Sequence, residues 1–169
     1  MAKVKAIALD VDGVLTDGAV WWGPNGEEWK RFCFADIMGL SLARKAGLIV
    51  GLISGEDSPQ IDRLAAKLSI PFVAKDCKDK AAALRRFAEQ FQLSLADVCF
   101  MGDDVNDLGA LAMAGLSAAP ADARPAILQV CAFVAQAKGG NGAVRELVDA
   151  LLAGKLEKVE KVLGAASRK

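Results

Sequence analysis

Ala6-Ile7-Ala8-Leu9-Asp10-Val11-Asp12-Gly13-Val14-Leu15-Thr16-Asp17 begins as a continuous apolar run and ends in three acids with a glycine among them. So short and apolar a run reads as a strand buried on both faces. Asp10 and Asp12 stand at its C-terminal end, and residues two apart share a face of a strand that continues that far. At about 4 Å two like charges repel by roughly 4 kcal/mol at an effective dielectric near 20. A fold keeps such a pair where a cation or a reaction uses it. The competing reading is a strand followed by a solvated acidic turn, and the rest of the chain weighs against it.

Downstream, apolar strands alternate with helical patterns. Val20-Trp21-Trp22 and Glu28 to Phe34 flank Gly23-Pro24-Asn25-Gly26, a hairpin signal that carries all three tryptophans. A lone two-stranded hairpin is marginal in water, so residues 18–34 are expected to pack on another surface. A helix is predicted over 37–46, closed by Gly47, then a buried strand over 48–53 ending at Ser54-Gly55. Pro59 opens the next helix, and 70–74 is a short strand. A helix over 79–92, a strand over 98–101 and a helix over 106–113 follow. Residues 115–119 and 130–134 are further strand candidates, with helices over 143–152 and 155–163. This alternation predicts an α/β fold: three Rossmann-like layers with a mostly parallel central sheet and a protruding hairpin flap. The 169 residues make one domain, long enough to bury about 70% of the unfolded surface.

Composition narrows the function. Lys plus Arg and Asp plus Glu both number 21, which offers no nucleic-acid surface. No apolar stretch reaches the roughly 18–20 residues of a membrane span. Asp10 interrupts the first apolar run, so a signal peptide is not expected. Cys33, Cys77, Cys99 and Cys131 form no CxxC pair and read as reduced thiols in a cytoplasmic protein. The chain has no histidine and no tyrosine, which removes Ser-His-Asp triads and His-ligated zinc. Acid–base work falls to carboxylates or lysine.

Ligands of a parallel sheet bind at the C-terminal ends of its strands. The residues there are Asp10 and Asp12, then Ser54-Gly55, then Gly102-Asp103-Asp104-Val105-Asn106-Asp107, with Lys80 opening the helix after the third strand. Separately, Ser54-Gly55 reads better as a helix-capping turn and Lys80 as a solvated lysine. Together they make a coherent set. Clustered acids call for a divalent cation, and all-oxygen ligands favour magnesium. Ser54 Oγ, the amides of a helix start and Lys80 suit an anion beside it. That is equipment for phosphoryl transfer.

In order, Asp10-Val11-Asp12-Gly13-Val14, Ser54, Lys80 and Gly102 to Asp107 resemble the four motifs of the haloacid dehalogenase-like phosphatases. The resemblance implies that Asp10 is the nucleophile that forms an aspartyl-phosphate. It implies that Asp12 protonates the leaving oxygen and then deprotonates water. Asp10, the Asp12 carbonyl and Asp103 would bind Mg2+, with Asp107 and Asp104 as ligands or holders of its waters. Ser54, Gly55 and Lys80 would hold the phosphoryl group.

Residues 13–53 and 55–79 are too few to contain a separate cap domain, so a neighbouring subunit is expected to cover the site. The chain is similar to the capless, tetrameric branch acting on 3-deoxy-D-manno-octulosonate 8-phosphate. The carriers are Asp12 to Gly18, the Asn25-Gly26 flap and Gly139-Gly140-Asn141-Gly142-Ala143-Val144-Arg145-Glu146. This implies a phosphorylated sugar acid as substrate, a homotetramer, and sugar contacts from Thr16 and Arg145, with residues 139–169 near an active site. Two positions depart from the branch. Ile37 replaces a common glycine, and Ser54-Gly55-Glu56 carries an acid where arginine is usual. Glu56, with Lys67 completing the site across a subunit boundary, is similar to the sister group acting on 2-keto-3-deoxynononate 9-phosphate, which stays open. So do a catalytically silent assembly domain of a sugar-nucleotide synthetase and a phospho-accepting receiver domain; the D-x-D spacing argues against the latter.

Overall fold

The structure, a computed structural model, describes residues 4–154. Strand β1 (Ala6–Leu9) is wholly buried. It pairs in parallel with β4 (Ile49–Ile53) on one side and β6 (Val98–Met101) on the other. β5 (Phe72–Ala74) lies outside β4, and β7 (Leu116–Ala119) and β8 (Phe133–Val134) lie outside β6. The sheet order is β5-β4-β1-β6-β7-β8, with every pairing parallel. Chain direction across the sheet therefore reverses at β1, the place where such sheets open a crevice for ligands.

The alternate faces of these strands feed two cores. Ile7, Leu9, Val50, Leu52, Cys99 and Met101 pack against α1 (Phe34–Lys45), α2 (Pro59–Leu68) and α6 (Ala143–Leu152). Ala6, Ala8, Val98 and Phe100 pack against α3 (Lys80–Gln90) and α4 (Leu108–Met113). Phe87 of α3 is fully buried, its ring 5.2 Å from Phe72 and 5.4 Å from Phe91. Helix ends follow local chemistry. Pro59 starts α2, Asp79 Oδ1 accepts the Ala82 amide at 2.9 Å to start α3, and Gly142 precedes α6. Buried Asp36 on α1 accepts the amides of Gly142 and Arg145, so one carboxylate joins α1 to the start of α6.

Several boundaries differ from the sequence reading. Helix α1 begins at Phe34, ahead of the predicted 37, because Cys33 leaves it without any side-chain cap to mark its start. Residues 105–107 form a 3₁₀ turn before α4. A short helix α5 (Pro125–Leu128) was unforeseen, although Pro125 at its first position is the ordinary signal. The sixth strand shrinks to Phe133–Val134. The predicted helix 155–163 lies outside the described residues.

The hairpin pairs β2 (Trp21–Trp22) with β3 (Glu28–Trp29), Trp21 opposite Trp29. Trp21, Trp22 and Trp29 are 69%, 75% and 55% exposed, so nothing among the described residues covers its apolar face. No cap domain interrupts residues 13–53 or 55–79.

Candidate active site

At the C-terminal edge of β1, β4 and β6 lies a cavity of about 600 Å³. Its wall includes Asp10, Asp12, Gly55, Glu56, Lys80 and Asp103. The Asp10 amide donates to Met101 O at 3.0 Å, extending the β1–β6 pairing up to the acid. Lys80 opens α3 and is 3% exposed, with Nζ 2.9 Å from Asp10 Oδ1 and 2.7 Å from Asp107 Oδ1. Asp107 is fully buried, and its other oxygen accepts the amides of Asp103 and Asp104 at 2.9 and 3.2 Å. Asp104 Oδ1 accepts the Val105 amide, and with Asp107 it closes a capping box over the 3₁₀ turn.

One ammonium thus faces three clustered carboxylates. Carboxylate oxygens of Asp10, Asp103 and Asp107 lie within 4.8 Å of one another. Burial, then the Asp107 charge, push the Asp10 carboxyl well above the usual carboxylate range, against the pull of Lys80. The same two causes push Asp103 up to about 6. For Lys80, burial works to lower the pKa, but the charges of Asp10 and Asp107 outweigh it and the net shift is upward. Two carboxyls whose pKa values are pushed upward and an all-oxygen donor set fit a small divalent cation, which would relieve both shifts. The backbone is shaped around this cluster. A Cβ on Gly13, at φ +85°, would lie 2.1 Å from Asp103 Oδ2.

Asp12 takes no part in that cluster. Its Oδ1 is 2.8 Å from Nζ of Lys30, which follows β3, while Oδ2 is buried without a hydrogen-bond partner. Gly55 and Glu56 form the wall after β4. Ser54 sits behind them, fully buried, its Oγ accepting the Glu56 amide at 3.1 Å.

The expected sugar contacts other than Glu56 lie off this chain's own cavity wall. Thr16 is fully buried, and its Oγ1 accepts the amides of Gly13 and Gly18, which makes it a brace for the acidic loop. Arg145 turns along α6 to Asp149 at 2.9 Å, and exposed Lys67 lies on α2; neither is on the cavity wall. The glycine-rich segment approaches the acidic loop itself, since a Cβ on Gly139 would lie 1.9 Å from Gly13 O. Conversely, the sequence reading overlooked Asp17, Asn106, Asp122 and Arg124, all on the wall. Asp122 and Arg124 follow β7, so the strand-end rule that found Asp103 reaches them when applied one strand further. No local pattern pointed to Lys30.

An acid at a strand end, a buried lysine and a carboxylate cluster at the switch point define a site of the phosphoryl-transferring class. Residues 43–147 match the family model of haloacid dehalogenase-like hydrolases. The chain is 35% identical over 165 residues to 3-deoxy-D-manno-octulosonate 8-phosphate phosphatase KdsC of Escherichia coli, covering 95% of this chain and 88% of that protein. A crystal structure of the Moraxella catarrhalis phosphatase of that name, in complex with magnesium ion, phosphate ion and KDO, superposes with a TM-score of 0.87. The two are 33% identical, with 89% of this chain and 86% of that one covered. The cobalt-bound Haemophilus influenzae phosphatase gives 0.88 at 34% identity, covering 91% and 90%. The chain belongs to the haloacid dehalogenase-like hydrolase family.

Proposed function

We propose that this chain is a magnesium-dependent phosphatase of a 2-keto-3-deoxy sugar acid phosphate, of the 3-deoxy-D-manno-octulosonate 8-phosphate class. The observation that carries it is the convergence of Asp10, Lys80 and Asp103 on one cavity, with Asp107 buried behind them. Asp10 and Asp103 would hold Mg2+ through side chains and Asp12 through its carbonyl, with Asp107 and Asp104 completing or steadying the site. The ion supplies charge neutralisation for the phosphoryl oxygens. Asp10, at a strand end and tied by Lys80, is the nucleophile, and the acyl phosphate it forms divides one hard step into two. Lys80 with the Gly55 amide holds the phosphoryl oxygens, and Ser54 fixes that turn from behind by accepting the Glu56 amide. Asp12 gives a proton to the leaving oxygen and takes one from the attacking water.

Glu56 on the wall favours a second substrate, 2-keto-3-deoxynononate 9-phosphate, whose extra hydroxyls would donate to a carboxylate. Side-by-side kcat/KM values on the two esters decide. Glu56→Arg should shift preference toward the octulosonate ester, and an unchanged ratio removes Glu56 from recognition. Asp10→Asn should abolish turnover of both with the fold intact; wild-type rates would overturn the nucleophile assignment.

The exposed face of Trp21, Trp22 and Trp29 supports assembly as a homotetramer, in which a neighbour covers the open cavity. Trp22→Asp should lower the mass seen by light scattering, and a monomeric wild type refutes the assembly. Among the described residues no helix is long and apolar enough to cross a membrane, and the four cysteines are free, which supports a cytoplasmic setting.

A further inference from the structure

The hairpin contributes a buried lysine to the reaction machinery. The Lys30 side chain is 4% exposed, with Nζ 2.8 Å from Asp12 Oδ1 and 3.4 Å from Glu28 Oε1. It is absent from the cavity wall, while Asp12 is on it. The lysine is itself anchored. Glu28 accepts Trp22 Nε1 on Oε2 at 3.2 Å, and Gln60 of α2 donates to the Glu28 carbonyl. Next along the chain, Arg31 reaches Asp17 at 3.2 Å and Asn141 at 2.9 Å. The hairpin base is therefore fastened to α2, to the acidic loop and to the glycine-rich segment.

An ammonium is a donor with no acceptor capacity. The Asp12 oxygen it holds can only accept. Oδ2 of the same carboxylate is buried and has no partner. The side chain is pinned through Oδ1. A group that exchanges protons with a reacting oxygen needs such a fixed orientation.

We propose that Lys30 is a positioning residue of the phosphatase reaction, holding the Asp12 carboxylate through Oδ1 in one fixed orientation at the cavity wall. The proposal rests on the reading of Asp12 as acid and base. In the first step the Asp10–phosphorus bond forms and the phosphorus–ester oxygen bond breaks. The ester oxygen takes the proton from the Asp12 carboxyl and leaves as an alcohol. In the second step water attacks phosphorus, its proton passes to the Asp12 carboxylate, the Asp10–phosphorus bond breaks, and inorganic phosphate separates. Lys30 keeps its own protons in both steps.

The test compares an alkyl ester, 3-deoxy-D-manno-octulosonate 8-phosphate, with p-nitrophenyl phosphate, whose leaving group departs without a proton. kcat/KM covers only the steps through departure of the leaving oxygen. Positioned acids are worth about 10²–10⁴-fold. Lys30→Met should lower kcat/KM on the alkyl ester by about 100-fold and on p-nitrophenyl phosphate by under about 10-fold. Lys30→Arg, which retains a donor-only cation, should recover most of the loss. Lys30→Met added to Asp12→Asn should cost little more. Equal losses on both esters in Lys30→Met, or a rise in KM alone, overturn the proposal in favour of a structural or sugar-binding lysine. If Lys30→Met lowers the thermal midpoint, Lys30→Gln is read by the same ratio of the two esters. Equal losses in Asp12→Asn itself overturn the acid reading. A selective loss there with none in Lys30→Met overturns only the role of Lys30.

Discussion

Lys80 Nζ donates to Asp107 Oδ1 at 2.7 Å, and neither side chain meets solvent beyond 2%. The same nitrogen holds Asp10 at 2.9 Å, so one cation restrains two acids that would otherwise repel. Lys80→Met leaves both carboxylates buried without their counter-charge. Removing one partner of a buried pair costs about 3–5 kcal/mol. In EDTA the variant should unfold well below the wild type in a thermal melt, with Mg2+ restoring part of the difference. Turnover should fall by about 10³-fold, since a preorganised charge on the phosphoryl oxygens is lost.

Proton and metal compete at the cluster, and the sign follows from the raised carboxyls. Asp103 titrates near 6 in the folded state against an ordinary 3.8, and Asp10 is shifted the same way. Between those values the folded state binds more protons than the unfolded one. The metal-free protein therefore loses this contribution to stability as pH rises from about 4 through 6. Mg2+ binds the ionised form, so the thermal shift it produces should be larger at pH 7 than at pH 5. Calorimetry with and without EDTA at both values measures it; an equal shift at the two pH values contradicts the linkage.

Gly13 has no room for a side chain. Gly13→Ala would bring a methyl group to 2.1 Å from Asp103 Oδ2 at a backbone φ of +85°. Asp103 must move, and the Mg2+ concentration for half-maximal activity should rise by about tenfold or more. Titration of activity against Mg2+ reads this directly, with circular dichroism to confirm that the fold persists.

Arg124 is the cation left over on the cavity wall among the described residues, because Lys80 is engaged. Its side chain is 70% exposed and touches Asp104 at 3.4 Å, a contact loose enough to exchange for a substrate carboxylate. Arg124→Ala should raise KM for the sugar acid phosphate by about tenfold, about 1.4 kcal/mol of binding. KM for a neutral sugar phosphate should change less than about twofold. Parallel kinetics on the two substrates separate this role from a general loss of structure.

Much of this site was legible because its groups follow buried apolar runs. Asp10 and Asp103 each stand just beyond a strand whose four residues are all buried, and the rule that ligands gather there located them without coordinates. Lys80 was legible only in company, as a helix-start lysine whose partners lie 70 residues upstream and 27 downstream. The partners of Thr16 were not legible, because they are the backbone amides of its own loop. Within this chain Arg145 pairs with its i,i+4 acid, Asp149. Lys30 left no trace in the sequence, since a lysine in a hairpin is ordinarily solvated, and only the tertiary fold turns it inward.

The central position of β1 sets an order of events during synthesis. The strand bearing Asp10 emerges first from the ribosome, yet its two neighbours, β4 and β6, are translated later, and Asp107 later still. Long-range parallel pairing of this kind forms slowly and only once all partners exist. A nascent chain therefore carries Asp10 long before the residues that converge on it have been made.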